Sequence, residues 1–156
     1  MDGDNFRRLI TRDLSFSPEG RSENLRRAGC MAQLLAGGGT NVVAAFVSPY
    51  RADRTRIREL FPLGAFAEAF VRCPVEICEE RDPKGQYALA RTGKIPNFTG
   101  VSDPYEAPMY PDLVLDTNHE DVETCVGQLE ALAFQLEATA GKAVQPQFHG
   151  TIMSAR

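Results

Sequence analysis

Apolar residues recur at helical spacing from Leu25 through Ala28, Met31 and Ala32 to Leu35. This spacing predicts an amphipathic helix. Ser17-Pro18-Glu19 marks its start: serine can cap, proline suits the first helical position, and glutamate favours the positive end of the dipole. Gly37-Gly38-Gly39 ends it. The run NVVAAFV at 41–47 is continuously apolar and β-branched, the pattern of a strand buried on both faces of a parallel sheet. Ser48-Pro49-Tyr50 breaks that run. A charged helix over 51–61, a strand over 66–71, a short helix over 74–81 and a strand over 113–115 are predicted next. Over 121–138, Val122, Cys125, Val126, Leu129, Leu132, Ala133 and Leu136 fall on one side of a helix. Residues 1–16 show no clear periodicity. Residues 82–111 are polar and rich in glycine and proline, with one helical piece at 86–91. Such a long, weakly periodic stretch inside a domain often forms a functional lid. The expected division is a domain over 1–139 and a flexible tail over 140–156.

Strands alternating with helices imply an α/β fold, a parallel sheet flanked by helices. Ligands of such sheets bind beyond the carboxyl ends of the strands. Ser48-Pro49-Tyr50 would lie there, and so would Asp2-Gly3-Asp4 if a strand preceded it. The length of 156 residues suits one domain. A net charge of −4 argues against a broad grip on nucleic acid, though not against a local arginine cluster. No apolar run reaches the length of a membrane span. The acidic, polar start is not a signal peptide, so a cytoplasmic protein without a membrane partner is expected. Cys30, Cys73, Cys78 and Cys125 have no metal-knuckle or redox-pair spacing and are expected to be small buried thiols. His119 and His149 are too scattered for a metal site.

Six segments carry more specific information: DGDNFR at 2–7, DLSFS at 13–17, RSENLRR at 21–27, FVSPYRADR at 46–54, CEERDPKGQY at 78–87 and NFTGVSDPYEAP at 97–108. In this order and spacing they resemble the adenylylsulfate kinase family, from residue 2 to about 117. The resemblance implies a P-loop kinase type of α/β fold. It also implies transfer of the ATP γ-phosphoryl group to the ribose 3′-hydroxyl of adenosine 5′-phosphosulfate, with Mg²⁺, in sulfate assimilation. A homodimer or association with a sulfate adenylyltransferase comes with the same resemblance.

Residue by residue, the resemblance makes Asp4 the group near the 3′-hydroxyl and Mg²⁺, where a carboxylate can orient the hydroxyl and accept its proton. Asp2 stands beside it; for both aspartates the alternative is that they shape a turn around Gly3. Arg7, Arg21 and Asn24 match positions that hold the phosphosulfate and nucleotide; arginine forks suit such oxyanions. Phe16 and Phe98 match the pair that sandwiches the substrate adenine. Val47 and Ser48 match backbone contacts to substrate. Ser48 also aligns with a serine described as a phosphoserine intermediate, although no histidine or lysine lies near it in sequence to activate it. Lys84 lies in the lid, and Arg81 and Asp82 match the ATP side. Arg51, Arg54 and Arg81 are further cations that could attract phosphate. The family's GLYKKAR reads Gly85-Gln86-Tyr87-Ala88-Leu89-Ala90-Arg91 here, so its lysine charge is missing or comes from Arg91 and Lys94.

The family carries a G-x-x-x-x-G-K-[ST] loop ahead of DGDN, and these 156 residues hold no such pattern. Gly37-Gly38-Gly39-Thr40 lacks the lysine and ends a helix. The expectation is therefore a kinase fold with its first strand and P-loop missing. The strands at 41–47 and 66–71 would then lack a partner between them, at about 1–3 kcal/mol for each unpaired buried backbone group. The chain as written is expected to be inactive and to be part of a longer protein. A catalytically dead adenylylsulfate-binding module and a truncated remnant are the alternatives.

Overall fold

The computed structural model describes residues 1–143, with side chains described through residue 139. Eight elements follow one another: α1 (Gly3–Leu9), α2 (Pro18–Gly37), α3 (Arg51–Arg58), β1 (Ala69–Arg72), α4 (Val75–Arg81), α5 (Gln86–Arg91), β2 (Leu113–Asp116) and α6 (Val122–Ala143). β1 and β2 pair in parallel, with Ala69 opposite Leu113 and Arg72 opposite Asp116. The α/β class with a parallel sheet and flanking helices is therefore as the sequence predicts.

α2 starts where its sequence says. The Ser17 hydroxyl accepts from the Gly20 amide at 3.1 Å, and proline follows the cap. Leu25, Ala28 and Ala32 form its buried stripe. Gly29 belongs to that face because a Cβ there would lie 3.1 Å from Ile57 Cγ1 and 3.2 Å from Leu60 Cδ1. Thus α2 and the end of α3 meet at van der Waals distance. Leu115 of β2 is 2% exposed, and Cys125 of α6, the helix that packs on β2, is also buried.

Several expectations are corrected. Residues 41–47 do not form a strand. They make one parallel bridge, between Asp2 and Ala45, carried by Ala45 N–H to the Met1 carbonyl at 2.8 Å and Gly3 N–H to the Ala45 carbonyl at 2.9 Å. A ladder needs a neighbour along its whole length, and among the described residues only 1–3 provide one. Val43 and Val47 are consequently 75% and 60% exposed. A cavity of about 260 Å³ separates Phe46–Ser48 from β1. Residues 1–16, read as aperiodic, contain α1. Its missed signal is the cap: the Asp2 carboxylate accepts from the Asn5 amide at 2.9 Å, and Arg7 and Arg8 occupy the last turn. α6 runs beyond residue 138, and its inward face is narrower than predicted, since Val122 is 80% and Val126 46% exposed. Cys30, Cys73 and Cys78 are half-buried, leaving Cys125 as the buried thiol. The strand expected at 66–71 lies at Ala69–Arg72. The tail from residue 144 onward, with His149, lies outside the described residues.

Gly20 locks the turn that presents Phe16, because a Cβ there would lie 2.3 Å from the Ser15 carbonyl oxygen. Backbone cannot yield as a side chain can, so Gly20→Ala should lower stability by about 1–3 kcal/mol. Thermal unfolding would register this as a lower midpoint. An unchanged midpoint would show that the turn is softer than its geometry.

Candidate functional site

The turn after α1, the first turns of α2, and loop 97–108 converge around one exposed ring. Phe16 is 58% exposed. The Arg7 guanidinium lies 4.3 Å from its centroid and that of Arg21 5.7 Å, so both are cation–π partners. Arg7 donates to the carbonyls of Leu14 and Ser15 at 3.4 and 3.2 Å. Arg21 donates to the Phe16 carbonyl at 3.2 Å and, across the chain, to the Asn97 carbonyl at 2.7 Å. These acceptors are neutral, and neither arginine forms a salt bridge among the described residues. Partial burial and the neighbouring Arg21 pull the Arg7 pKa down. Two like charges beside an open aromatic ring make a site suited to an anion attached to a planar base.

Asn97 holds a positive φ of 54°, and Phe98 follows it, half-buried, edge-on to Tyr87 at 4.9 Å between centroids. The Phe98 amide donates to Ser102 Oγ at 2.9 Å, and the Phe98 carbonyl accepts from the amides of Val101, Ser102 and Asp103. Phe98 therefore sits on a tight turn rather than a loose lid.

Asp4 lies exposed in the first turn of α1 and pairs with Lys84 Nζ at 2.5 Å. The hydrogen bond to this carboxylate, and its charge, raise the Lys84 pKa. Residues 80 positions apart thus meet, joining the DGDN segment to the turn between α4 and α5. Asp2 caps α1. Asn24 is buried, and its side-chain oxygen accepts from the Thr11 hydroxyl at 2.5 Å; that bond ties α2 to the preceding turn.

Ser48 holds a positive φ of 39°. Its hydroxyl donates to the Phe46 carbonyl at 3.4 Å. Val47 and Ser48 line the cavity beside β1. On the opposite side, Arg81 donates to the Thr117 carbonyl at 2.8 Å and approaches Cys73 Sγ at 3.7 Å. Asp82 accepts from the amides of Tyr87 and Ala88, each at 3.1 Å, and so starts α5. Beside Arg81, a cavity opens at the carboxyl ends of β1 and β2, lined by Arg72, Cys73, Pro74, Asp116, Asn118 and His119. Arg91 is bonded to Glu79, so its charge is already matched. Burial, then the neighbouring Cys73 thiol, push the Cys78 pKa up.

Sequence reasoning missed the residues that hold the loops. The Tyr50 hydroxyl donates to Asp103 Oδ2 at 2.6 Å; burial, then that carboxylate, push the Tyr50 pKa up to about 12. The Arg51 amide donates to Glu106 Oε2 and its Nε to the Ala107 carbonyl, each at 2.7 Å. Arg54, read as a cation for phosphate, is 8% exposed and engaged with protein groups. All lie inside FVSPYRADR and NFTGVSDPYEAP, but sequence does not reveal that these segments grip each other.

The parallel strand pair and its flanking helices place the chain in the α/β class, with the fold of the P-loop kinase type. The profile of the family described as "Adenylylsulphate kinase" matches residues 1–116. The chain belongs to that family. It is 52% identical over 129 residues to the "Probable adenylyl-sulfate kinase" of Bacillus subtilis (strain 168), covering 83% of this chain and 66% of that protein. It is 49% identical over 129 residues to the "Adenylyl-sulfate kinase" of Staphylococcus haemolyticus (strain JCSC1435), covering 83% and 65% respectively. The chain thus spans slightly less than two thirds of these relatives. Among solved structures, the Mycobacterium tuberculosis APS kinase CysC in complex with AMPPNP and APS superposes with a TM-score of 0.77. The identity is 40%, covering 85% of this chain and 78% of that one.

Arg21 is the cross-chain tie between the Phe16 turn and the Phe98 turn. Losing one charge-assisted hydrogen bond of about 1.5 kcal/mol should speed local opening about tenfold. Arg21→Ala should therefore accelerate amide hydrogen exchange at Val101, Ser102 and Asp103 while leaving Leu115 unaffected. Unchanged exchange at those three amides would show that the turn stands without Arg21.

Proposed function

We propose that the protein is an adenylylsulfate kinase, moving the γ-phosphoryl group of ATP to the 3′-hydroxyl of adenosine 5′-phosphosulfate. The observation that carries this reading is the pair Arg7 and Arg21 around the exposed Phe16. Their charges are unmatched by carboxylates, and Arg21 is tied to the turn bearing Phe98. The adenine would stack on Phe16 and Phe98, and the phosphosulfate would meet the arginines. Val47 and the strained Ser48 would add backbone contacts. Asn24 would act by fixing α2, because its carbonyl oxygen is already engaged.

ATP would approach from the carboxyl ends of β1 and β2, near Arg81 and Asp82. Asp4 would orient the 3′-hydroxyl and take its proton. The same exposed carboxylate suits Mg²⁺, which is held by one or two carboxylates with water and phosphate oxygens. The Lys84 ammonium pairing with it supports a cation preference at that point. When bound, Mg²⁺ supplies charge neutralisation on the phosphates. Lys84 would turn from Asp4 to an anionic oxygen of the substrates. Ser48 is not proposed as a nucleophile, since its hydroxyl donates to a carbonyl and no base adjoins it. Use of ATP and a free nucleotide suits a cytoplasmic enzyme. No helix among the described residues is long and apolar enough to cross a membrane. A homodimer, or association with a sulfate adenylyltransferase, remains part of the proposal as its assembly.

The 156 residues contain the adenylylsulfate half of this site and no G-x-x-x-x-G-K-[ST] pattern. Calorimetry on this chain should therefore give tighter binding of adenylylsulfate than of ATP. Tighter ATP binding would overturn the assignment of the arginine pair. In a form of the protein that includes a phosphate-binding loop, 3′-phosphoadenylylsulfate should form. There Asp4→Asn should lower kcat by about 10²–10⁴-fold, the usual loss for a general base. Near-normal turnover would mean that another carboxylate serves.

A further inference from the structure

Arg54 is the least exposed guanidinium near the site, and each edge of its fork has a different partner. Nη1 donates to the Ser48 carbonyl at 2.6 Å, and Nη2 to the Glu106 carbonyl at 2.5 Å. Nε lies 2.7 Å from Glu68 Oε1, as an ion pair whose N–H is not directed at the oxygen. The two carbonyls belong to the two segments that would embrace the substrate. Ser48 has φ of 39°, a conformation that L residues avoid unless held. Glu106 belongs to the loop that begins with Phe98. The Glu106 amide also donates to the Pro49 carbonyl at 2.9 Å, and Tyr50 reaches Asp103, whose amide bonds to the Phe98 carbonyl at 3.1 Å.

We propose that Arg54 is a positioning residue: it fixes the Ser48 turn and the Phe98 loop relative to each other, so that the protein recognises adenylylsulfate through a group that does not touch it. The planar fork makes this possible. It directs donors to separate carbonyls while its charge is balanced by Glu68, whereas an ammonium has no fixed fork. Arg54 therefore belongs to recognition of the acceptor nucleotide, and its loss should fall on that substrate rather than on ATP. This inference rests on the function proposed above, but its first test does not.

The test compares Arg54→Lys with Glu68→Gln, because Arg54→Ala removes both carbonyl donors at once, empties a buried side-chain volume and leaves half-buried Glu68 with Arg58 alone, at 3.9 Å. Glu68→Gln removes the ion pair and keeps both carbonyl bonds. In the ligand-free 156-residue chain, Arg54→Lys should speed amide exchange at Glu106 at least tenfold, and Glu68→Gln less than threefold. Equal acceleration in both variants would overturn the clamp, whatever the protein binds. In the form carrying a phosphate-binding loop, Arg54→Lys should raise KM for adenylylsulfate at least tenfold, with KM for ATP changed less than twofold. Glu68→Gln should leave both KM values near normal. A parallel rise in both KM values, or a lowered kcat alone, would overturn the positioning role. If the wild type binds no adenylylsulfate, the functional reading fails while the exchange result still decides the clamp.

Discussion

A guanidinium cannot shed its charge, so burying one obliges the chain to bring acceptors to it. Arg54 imposes that constraint here. Meeting it draws together α3, the start of β1, the Ser48 turn and the 97–108 loop. The same contacts reach the sheet. Glu68 and Asp112 immediately precede the two strands. Asp112 accepts from the Glu68 amide at 2.7 Å, and its own amide donates to the Glu68 carbonyl at 2.9 Å. Arg58 pairs with Asp112 at 2.5 Å. Two arginines one helical turn apart on α3 thus stand at the amino ends of β1 and β2 and help set their register. A four-residue strand pair is too short to define its own alignment strongly.

Apart from Arg54, which uses both, most of the arginines divide by the kind of acceptor they use. Arg26, Arg27, Arg56, Arg58, Arg72 and Arg91 pair with carboxylates, which cancel their charge. Arg7, Arg21, Arg51 and Arg81 bond to backbone carbonyls, which fix position without cancelling charge. Of the second group, Arg7 and Arg21 flank Phe16, Arg51 holds the 97–108 loop, and Arg81 lies against Cys73 and Thr117 at the carboxyl ends of the strands. A carbonyl-held arginine is both preorganised and electrically available, the combination that an anion site requires. The overall charge of −4 conceals this local arrangement.

Helices with strong end signals were legible. α2 has its serine cap and terminal glycines, and α5 has the bounds that its pattern gives. The strand expected at 41–47 was not, because a β-branched run records a preference for pairing but not the presence of a partner. α1 was missed because seven residues give too little periodicity, and only the Asp2 cap announces it. For the site, resemblance named Arg7, Phe16, Arg21 and Phe98, and the structure brings Arg7, Phe16 and Arg21 together and joins them to Asn97. It could not disclose that Asn24 and Asp82 direct their side-chain oxygens to local protein groups, or that Tyr50 and Arg54 anchor the loops. The Tyr50 and Arg54 contacts join segments some fifty residues apart, which a single sequence does not encode visibly, and the Asn24 and Asp82 contacts, though local, depend on side-chain orientations that it does not encode either.

The contacts around the site also differ in how readily they exchange, and that difference orders the events that binding can cause. The Lys84–Asp4 pair is largely exposed, with side chains 64% and 78% accessible. Water screens such a pair, so exchanging it for contacts with a phosphate or a metal ion costs little. Arg54 lies at the other extreme: each of its contacts is shielded, and breaking one strands a buried charge. Loop 97–108 is therefore fixed at its base near Glu106, whereas the 82–85 segment is joined to α1 by a bond that a ligand can replace. Under the proposed function, substrate arrival would displace Lys84 before it disturbs Phe98: the adenine would meet a preformed platform, and rearrangement would be confined to the Asp4–Lys84 contact.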